Sequence, residues 1–534
     1  MAPDLSCTLP IDFSLYAQNG TLVVTLINQR LSVLAVNWAR QLATIGLRGT
    51  IGVTSRLDQQ AEQDVLHAGA GIFCTTSAEM RIQPQAGRWA ELVALLRTGF
   101  DILLSDVDVG WARNPLPYIH AVLHAHPQAS ILFSSNLGDG NFSTTPLHGA
   151  NAEGLELEDP DAYRLGINLG DGFNVGILFV NQRSAHRAFS ARLERMFARW
   201  VELLSARSDG QLRMASFDQG IINRWLHSVM RPRSSDANLI DLALNDESSP
   251  GREPTEPPLA IGCLPALQFS TAHIHFAWRA VRARYAPPPF AIHATCTLGR
   301  ALVRKIWVLR EAGVWHDPPS YQRRPDERFL RLETINTTGA VGFELISKQL
   351  QQVAAALHLA RALNRSLILP HLVCGTIARS HPCRAGAHLW KGQRPPLPLP
   401  EYCPLHYWVE PVLAEQSPVP IRPPSFLAAD TMAGMMSKLG TEEVYSQGGE
   451  SLHALQKSWL RFSHVRVLSV RNLPPLVVGS VTQWKRRKRT SKTSAQHLWP
   501  ALMAAGRSPN EMTWDAWCRT CDSGIGTCLE HRIS

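Results

Sequence analysis

Phe100-Asp101-Ile102-Leu103-Leu104-Ser105-Asp106-Val107-Asp108 is the stretch on which the fold reading turns. An apolar run of strand length ends on a pair of carboxylates separated by one residue. A buried strand that delivers such a pair sets hard oxygen ligands side by side. A small divalent cation such as Mg²⁺ or Mn²⁺ prefers oxygen donors and shares them with substrate phosphates. Such a strand end points to a nucleotide-diphosphate site. The plainer alternative is a solvated turn, where aspartates are common.

The residues before it alternate between strand and helix patterns. Thr21 to Asn28 reads as a buried strand, and Leu34, Trp38 and Leu42 fall four apart on one helix face. Thr50 to Val53 begins a second strand, 59–67 reads as helical, Ile72-Phe73 as apolar strand, and 88–98 as a helix. This β-α-β-α order predicts a mostly parallel sheet covered by helices. Ligands gather beyond the carboxyl ends of strands in such sheets. Further strands are expected at Ser130–Ser135 and 172–180, with a helix over 184–206. Residues 136–171 read as polar loop, and 232–258, rich in Pro, Ser, Asp and Glu, as a flexible insertion.

The polar stretch 318–328 predicts a domain boundary, giving one domain over 18–321 and a smaller α/β domain over 328–534. In the second, a helix over 344–363 runs into a strand at Ser366-Leu367-Ile368-Leu369-Pro370. Proline-rich residues 395–424 follow, then a helical stretch over 426–461 and a strand at 465–469. The length of 534 residues is too great for one core. With 45% hydrophobic and 18% charged residues, the chain is globular rather than disordered.

The net charge of +9 suits anionic ligands without identifying one. Part of it is the run Lys485-Arg486-Arg487-Lys488-Arg489 with Lys492. No aromatic platform or nucleic-acid motif accompanies that run, so it reads as a solvated loop and no nucleic-acid partner is expected. Cys518-Arg519-Thr520-Cys521 with Cys528 is half a zinc site without a completing pair. In an oxidising lumen, disulfides among Cys374, Cys383, Cys403 and the C-terminal trio are open to formation. Asn19, Asn141, Asn336 and Asn364 head N-x-S/T sequons. No apolar run reaches the ~20 residues of a membrane span, and the start has no basic-then-apolar leader. The expectation is a soluble chain, or one lacking an N-terminal piece.

The segment Leu103 to Tyr118, with Trp111 and Asn114-Pro115-Leu116-Pro117-Tyr118 behind the acidic pair, resembles the glycosyltransferase family 77 nucleotide-diphospho-sugar transferases of plants and green algae. It is most like their extensin arabinosyltransferases. Later blocks agree in order. They are Phe173-Asn174-Val175-Gly176-Ile177, Asp218-Gln219-Gly220-Ile221-Ile222-Asn223, Pro289-Phe290-Ala291-Ile292-His293, Leu309-Arg310-Glu311-Ala312 and His316-Asp317-Pro318-Pro319-Ser320-Tyr321. Ala360 to Pro370 is similar to the arabinosyltransferase helix-strand unit, and also to the opening unit of protein fucosyltransferases.

The resemblance implies a GT-A-like, Rossmann-type nucleotide-diphospho-sugar transferase domain plus the smaller C-terminal domain. It implies Asp106, Asp108 and His293 as ligands of Mn²⁺ or Mg²⁺, and Arg304 and Lys305 as partners of the diphosphate. Asn174 and Gly176 would line the sugar pocket, and Asp218 and Gln219 would sit by the transferred sugar. Asn28 is a weaker candidate for nucleotide contact. Each has a plainer reading: a core histidine, an exposed helix face for Arg304 and Lys305, a turn at Asn174-Val175-Gly176, a helix cap at Asp218. Trp111 reads as core. Where the family has Gly-Lys-Arg this chain has Val303-Arg304-Lys305, which removes a glycine from the phosphate side.

The implied activity is retaining transfer of L-arabinofuranose from a UDP-sugar to hydroxyproline-linked arabinosides of wall glycoproteins, in the Golgi, where family members are membrane-anchored. UDP-xylose or UDP-galactose donors, and a decayed transferase serving as a scaffold, are the alternatives.

Overall fold

The computed structural model describes residues 11–473 with breaks, the longest at 136–172, 206–217, 243–258, 374–401 and 429–440. The polar stretch 136–171, most of 395–424, the basic run, the C-terminal cysteines and the sequons at Asn141 and Asn336 lie outside the described residues. By compactness the chain divides into two units. The first comprises Met1–His275, Val281–Thr295 and His531–Ser534; the second comprises Phe276–Ala280 and Cys296–Glu530.

The first unit opens with β1 (Thr21–Ile27), α1 (Ser32–Thr44), β2 (Thr50–Val53), α2 (Gln59–His67), β3 (Gly71–Cys74), α3 (Pro84–Leu96) and β4 (Asp101–Ser105). Next come β5 (Val109–Trp111), α4 (Leu116–Ala125), β6 (Ala129–Ser135), β7 (Phe173–Val180), α5 (Arg187–Ser205) and α6 (Asp218–Val229). The strands β8 (Met230–Pro232), β9 (Ile240–Leu242), β10 (Leu259–Cys263), β11 (Phe269–Thr271) and β12 (Ala291–His293) close it.

Nine strands form one sheet in the order β3-β2-β1-β4-β7-β6-β10-β9-β8. The pairs β1–β2, β2–β3 and β1–β4 are parallel, whereas β7 runs antiparallel between β4 and β6. From β1 the chain first builds outward through β2 and β3, then returns to place β4 on the other side. The carboxyl ends of β1 and β4 therefore flank a topological switch point, where open α/β sheets bind ligands. Asp106 follows β4 at that point. This mixed sheet, with β7 reversed between parallel neighbours beside the switch point, is the GT-A-like α/β arrangement.

Residues 232–258 are not all insertion. Ile240–Leu242 pairs antiparallel with both β8 and β10 and extends the sheet by two strands. The polar composition around Leu239, Ile240 and Leu242 hid a short apolar edge.

A buried aromatic cluster fixes α3 and α5 on the sheet. Trp89 stacks on Phe197 at 5.9 Å and meets Trp200 edge-on at 4.7 Å. Phe133 and Phe173 bring the sheet into the same cluster, 5.0 Å apart. Burying each large aromatic stabilises the fold by about 1.5–3 kcal/mol. Trp89 is fully buried, so the rotation of α3 about its axis is set, and with it the direction of Arg88.

The second unit holds α7 (Leu302–Glu311), β13 (Phe329–Thr334), α8 (Gly342–Ala362), β14 (Ser366–Ile368), β15 (Leu372–Val373), β16 (Tyr402–Cys403), β17 (Ile421–Arg422), β18 (Thr441–Tyr445), α9 (Leu452–Trp459) and β19 (Val467–Arg471). Five strands pair in parallel in the order β17-β14-β13-β19-β18. The helix expected over 426–461 is interrupted by β18. Thr441-Glu442-Glu443-Val444-Tyr445 pairs along β19, and tertiary pairing overrides its modest helix preference.

The division between the units falls near 295, ahead of the boundary expected at 318–328. The reason is α7. Its Trp307 Nε1 and Arg310 Nη1 donate to Glu415 at 2.7 and 2.8 Å, and Glu311 accepts from the Leu405 amide at 3.0 Å. Arg310 also grips Asp317 with contacts of 2.7–3.1 Å. These bonds tie the helix into the second unit.

Candidate metal centre

The site is assembled by backbone pairing. At the end of β4 the Asp106 amide donates to Gly176 O at 2.7 Å, carrying the ladder with β7 one step past the strand. The chain then turns through Val107 and Asp108 into β5, and the Val109 amide donates back to Asp106 O at 3.1 Å. β5 pairs antiparallel with β12, with His293 opposite Val109, and the Ala294 amide donates to Asp108 O at 3.0 Å. That three-stranded sheet, β11-β12-β5, was not foreseen from sequence, because each strand is only three residues long. It is what brings His293 beside residues nearly two hundred positions earlier. Beneath the turn, Trp38 Nε1 donates to Ser105 Oγ at 2.9 Å and the Trp111 amide to Gln41 Oε1 at 2.7 Å. Trp111 is buried core.

His293 Nε2 lies 3.4 Å from Asp106 Oδ2 and 3.3 Å from Asp108 Oδ1. One ligand atom from each of the three residues lies within 4.8 Å of the others. Two donors bound to Mg²⁺ or Mn²⁺ at ~2.1 Å stand about 3 Å apart in adjacent octahedral positions. The spacing and the donor set of carboxylates and one imidazole both fit such an ion. Asp108 and His293 are buried, and Asp106 is half-exposed, so the cluster opens on one side.

The electrostatics follow from the geometry. Burial alone would raise Asp106, but the Arg88 guanidinium and the His293 ring outweigh it and hold the carboxyl below the ordinary carboxylate range. Burial alone would lower His293; the charge of Asp108 and hydrogen bonds to both carboxylates prevail and push it up to about 9. Without a cation, a proton on Nε2 bridges the carboxylates.

Gly176 has a role that spacing did not specify. A Cβ built there would fall 2.0 Å from His293 Cε1 and 2.5 Å from Nδ1. The close approach that requires glycine is therefore that of the His293 ring. Asn174 is buried, and its Oδ1 accepts from the Gly176 amide at 2.7 Å within the register irregularity of β7, so this stretch is bulged strand rather than the turn read from sequence.

Asp218 and Gln219 open α6, whose Asn223 donates to Phe173 O at 3.0 Å and so fixes the helix to β7. Gln219 is half-buried, while the Asp218 side chain lies outside the described residues. Asn28 is exposed, and its side chain caps the turn Gln29–Leu31 by accepting from the Arg30 amide at 3.0 Å. Arg304 and Lys305 are half-buried on α7 in the second unit, so neither stands on a fully exposed face.

One residue escaped sequence reasoning. Arg88 Nη1 lies 2.8 Å from Asp106 Oδ1, and Nη2 donates to Val175 O at 2.6 Å. Its signal was faint: one of the few charges on the largely apolar helix Pro84–Leu96.

The region that builds this cluster is a nucleotide-diphospho-sugar transferase domain: residues 85–306 match that family. That match is to the same class of domain that the sequence blocks around Asp106, Asn174 and His293 resemble. Over 290 residues it is 24% identical to Arabinosyltransferase XEG113 of Arabidopsis thaliana, an alignment covering 53% of this chain and 38% of that protein. The chain thus spans about two fifths of that relative's length. Similar solved structures include mouse xyloside xylosyltransferase 1 in its apo form, at 11% identity over 53% of this chain and 99% of that one, with a TM-score of 0.29. Galactosyltransferase LgtC, in complex with donor and acceptor sugar analogs, is 13% identical over 56% of this chain and 98% of its own, with a TM-score of 0.32. The strand order, not these distant likenesses, defines the fold.

Proposed function

We propose that the chain transfers a pentose, L-arabinofuranose, from its UDP-sugar to hydroxyproline-linked arabinosides of cell-wall glycoproteins, with retention and with Mn²⁺ or Mg²⁺ in the centre. The single observation that carries the metal-dependent reading is the convergence of Asp106, Asp108 and His293 from β4–β5 and β12. The sugar is favoured by the likeness to Arabinosyltransferase XEG113. A divalent ion held there would neutralise the diphosphate and stabilise charge on the departing UDP. Gln219 is the hydrogen-bond partner for sugar hydroxyls, and Asp218 the carboxylate that stabilises positive charge at the anomeric carbon. Asn28 is assigned to the nucleotide. Asn174 and Gly176 serve the sugar pocket through the His293 wall.

UDP release by purified protein, measured with Mn²⁺ against UDP-arabinofuranose, UDP-xylose and UDP-galactose, tests the donor. Arabinofuranose is expected to give the highest kcat/KM; a preference for either other sugar overturns that choice. Asp108→Asn is expected to lower Mn²⁺-dependent release by about a hundredfold or more. No Mn²⁺-dependent UDP binding by the parent protein would return the chain to the scaffold reading.

An oxidising lumen such as the Golgi is the proposed location. The disulfide-bonded Cys74 supports it, since such bonds persist in oxidising compartments. Among the described residues no helix is long and apolar enough to cross a membrane.

A further inference from the structure

Arg88 divides the labour between the Asp106 oxygens. Its guanidinium is a planar fork whose donors leave in fixed directions. One donor holds Asp106 Oδ1 at 2.8 Å and the other holds Val175 O at 2.6 Å. The group also lies over the Trp89 ring, 5.0 Å from its centroid, and its side chain is 13% exposed. Since Trp89 is locked in the aromatic core, Arg88 approaches Asp106 from one direction only. Oδ1 is thereby engaged by Arg88, whereas the contact to His293 is made by the other oxygen. Oδ2 faces His293 Nε2 at 3.4 Å, next to Asp108 Oδ1, which is 3.3 Å from that same nitrogen.

We propose that Arg88 is a positioning residue that makes Asp106 a one-oxygen ligand and thereby sets the cation preference of the centre. The inference rests on the metal reading given above. Mg²⁺ and Mn²⁺ take six donors at short distance and accept a carboxylate through one oxygen. Ca²⁺ takes six to eight at 2.3–2.6 Å and draws on bidentate carboxylates to reach that number. With Oδ1 held by Arg88, the site offers Ca²⁺ too few oxygens. Release of Oδ1 lets Asp106 turn and chelate the larger ion.

The charge of Arg88 acts alike on any divalent cation, so its removal raises both affinities together. The ratio of the Ca²⁺ and Mn²⁺ dissociation constants isolates the geometric effect. Arg88→Gln removes charge and fork. Arg88→Lys keeps the charge but cannot reach Asp106 and Val175 O with two fixed donors. Calorimetric titration of the full chain with each ion alone, and the electron paramagnetic resonance spectrum of bound Mn²⁺, give the readouts. Both variants are expected to lower the Ca²⁺/Mn²⁺ ratio by about tenfold and to broaden the Mn²⁺ lines through a less uniform ligand field.

A ratio in Arg88→Lys within about twofold of the parent value overturns the proposal, because charge alone would then suffice. Should Arg88→Gln fail to fold, the lysine variant still decides. Failure of the parent protein to bind Mn²⁺ would instead remove the metal centre itself, a separate outcome.

Discussion

At the residue scale the centre depends on a glycine and a histidine pressed together. Gly176→Ala must move the His293 ring, because the new methyl carbon would sit 2.0 Å from Cε1. The expected result is a loss of Mn²⁺ affinity of about tenfold or more, with overall stability changed far less, as metal sites respond to small shifts in ligand support. Paired Mn²⁺ titration and thermal melting check it; equal Mn²⁺ binding in the alanine variant would refute the packing role. His293 also makes the cation-free protein sensitive to pH. Its pKa is raised from 6.5 to about 9 in the fold, so its contribution is complete below pH 6.5 and is lost as pH rises through 9. Melting temperatures of cation-free protein between pH 6 and 10 should fall across that window, and a His293→Gln variant should lack the step. The acidic pair and the histidine were legible in the sequence because family blocks flank both. Arg88 was not, since nothing local marks a helical arginine as the neighbour of a carboxylate on the next strand. Two sequon asparagines read differently in three dimensions. Asn19 and Asn364 are the positive-φ non-glycine residues among those described, both at φ 50°, so turn and helix-cap geometry accounts for an asparagine at each.

At the scale of elements, sequence patterns served best where burial was periodic. The 3.6-residue spacing of Leu34, Trp38 and Leu42 gave α1, and the continuous apolar runs gave β1, β4 and β7, all buried as expected. Strands of three residues, such as β5, β11 and β12, carry too little pattern to be seen, yet they bring the site together. The unit Ala360 to Pro370 is similar to the opening helix-strand unit of protein fucosyltransferases. Within it Arg365 is buried and donates to Phe329 O at 3.1 Å, Arg466 O at 3.3 Å and Phe462 O at 2.7 Å. These bonds tie the turn before β14 to the amino ends of β13 and β19. Arg365→Ala is expected to destabilise the protein by about 2–4 kcal/mol, the cost of stripping partners from buried carbonyls and leaving a cavity. Chemical denaturation measures this, and Mn²⁺ binding to the folded variant should match the parent.

At the scale of the whole molecule, two sheets of different design occupy one chain. The nine-stranded sheet reverses two inner strands, β7 and β9, and the turn after β4 carries the two candidate aspartate ligands. The five-stranded sheet is parallel throughout and carries no such cluster among the described residues. Polar composition at 318–328 suggested the boundary, but side-chain bonds from Trp307, Arg310 and Glu311 decided it, and bonds between distant residues leave no local trace. The assignment of the metal to one sheet has a direct consequence. A cation that binds only the native centre stabilises the elements that hold it, by mass action. Hydrogen exchange with and without Mn²⁺ should slow in peptides spanning 101–111, 173–180 and 288–295. The strands Phe329–Thr334 and Val467–Arg471 should exchange at unchanged rates. Protection appearing first in those parallel strands would move the metal to the second unit and leave Asp106, Asp108 and His293 as a charge-balanced turn. Asp108→Asn provides the internal control: it retains the β4–β5 backbone bonds but should erase the Mn²⁺-induced protection in the first unit.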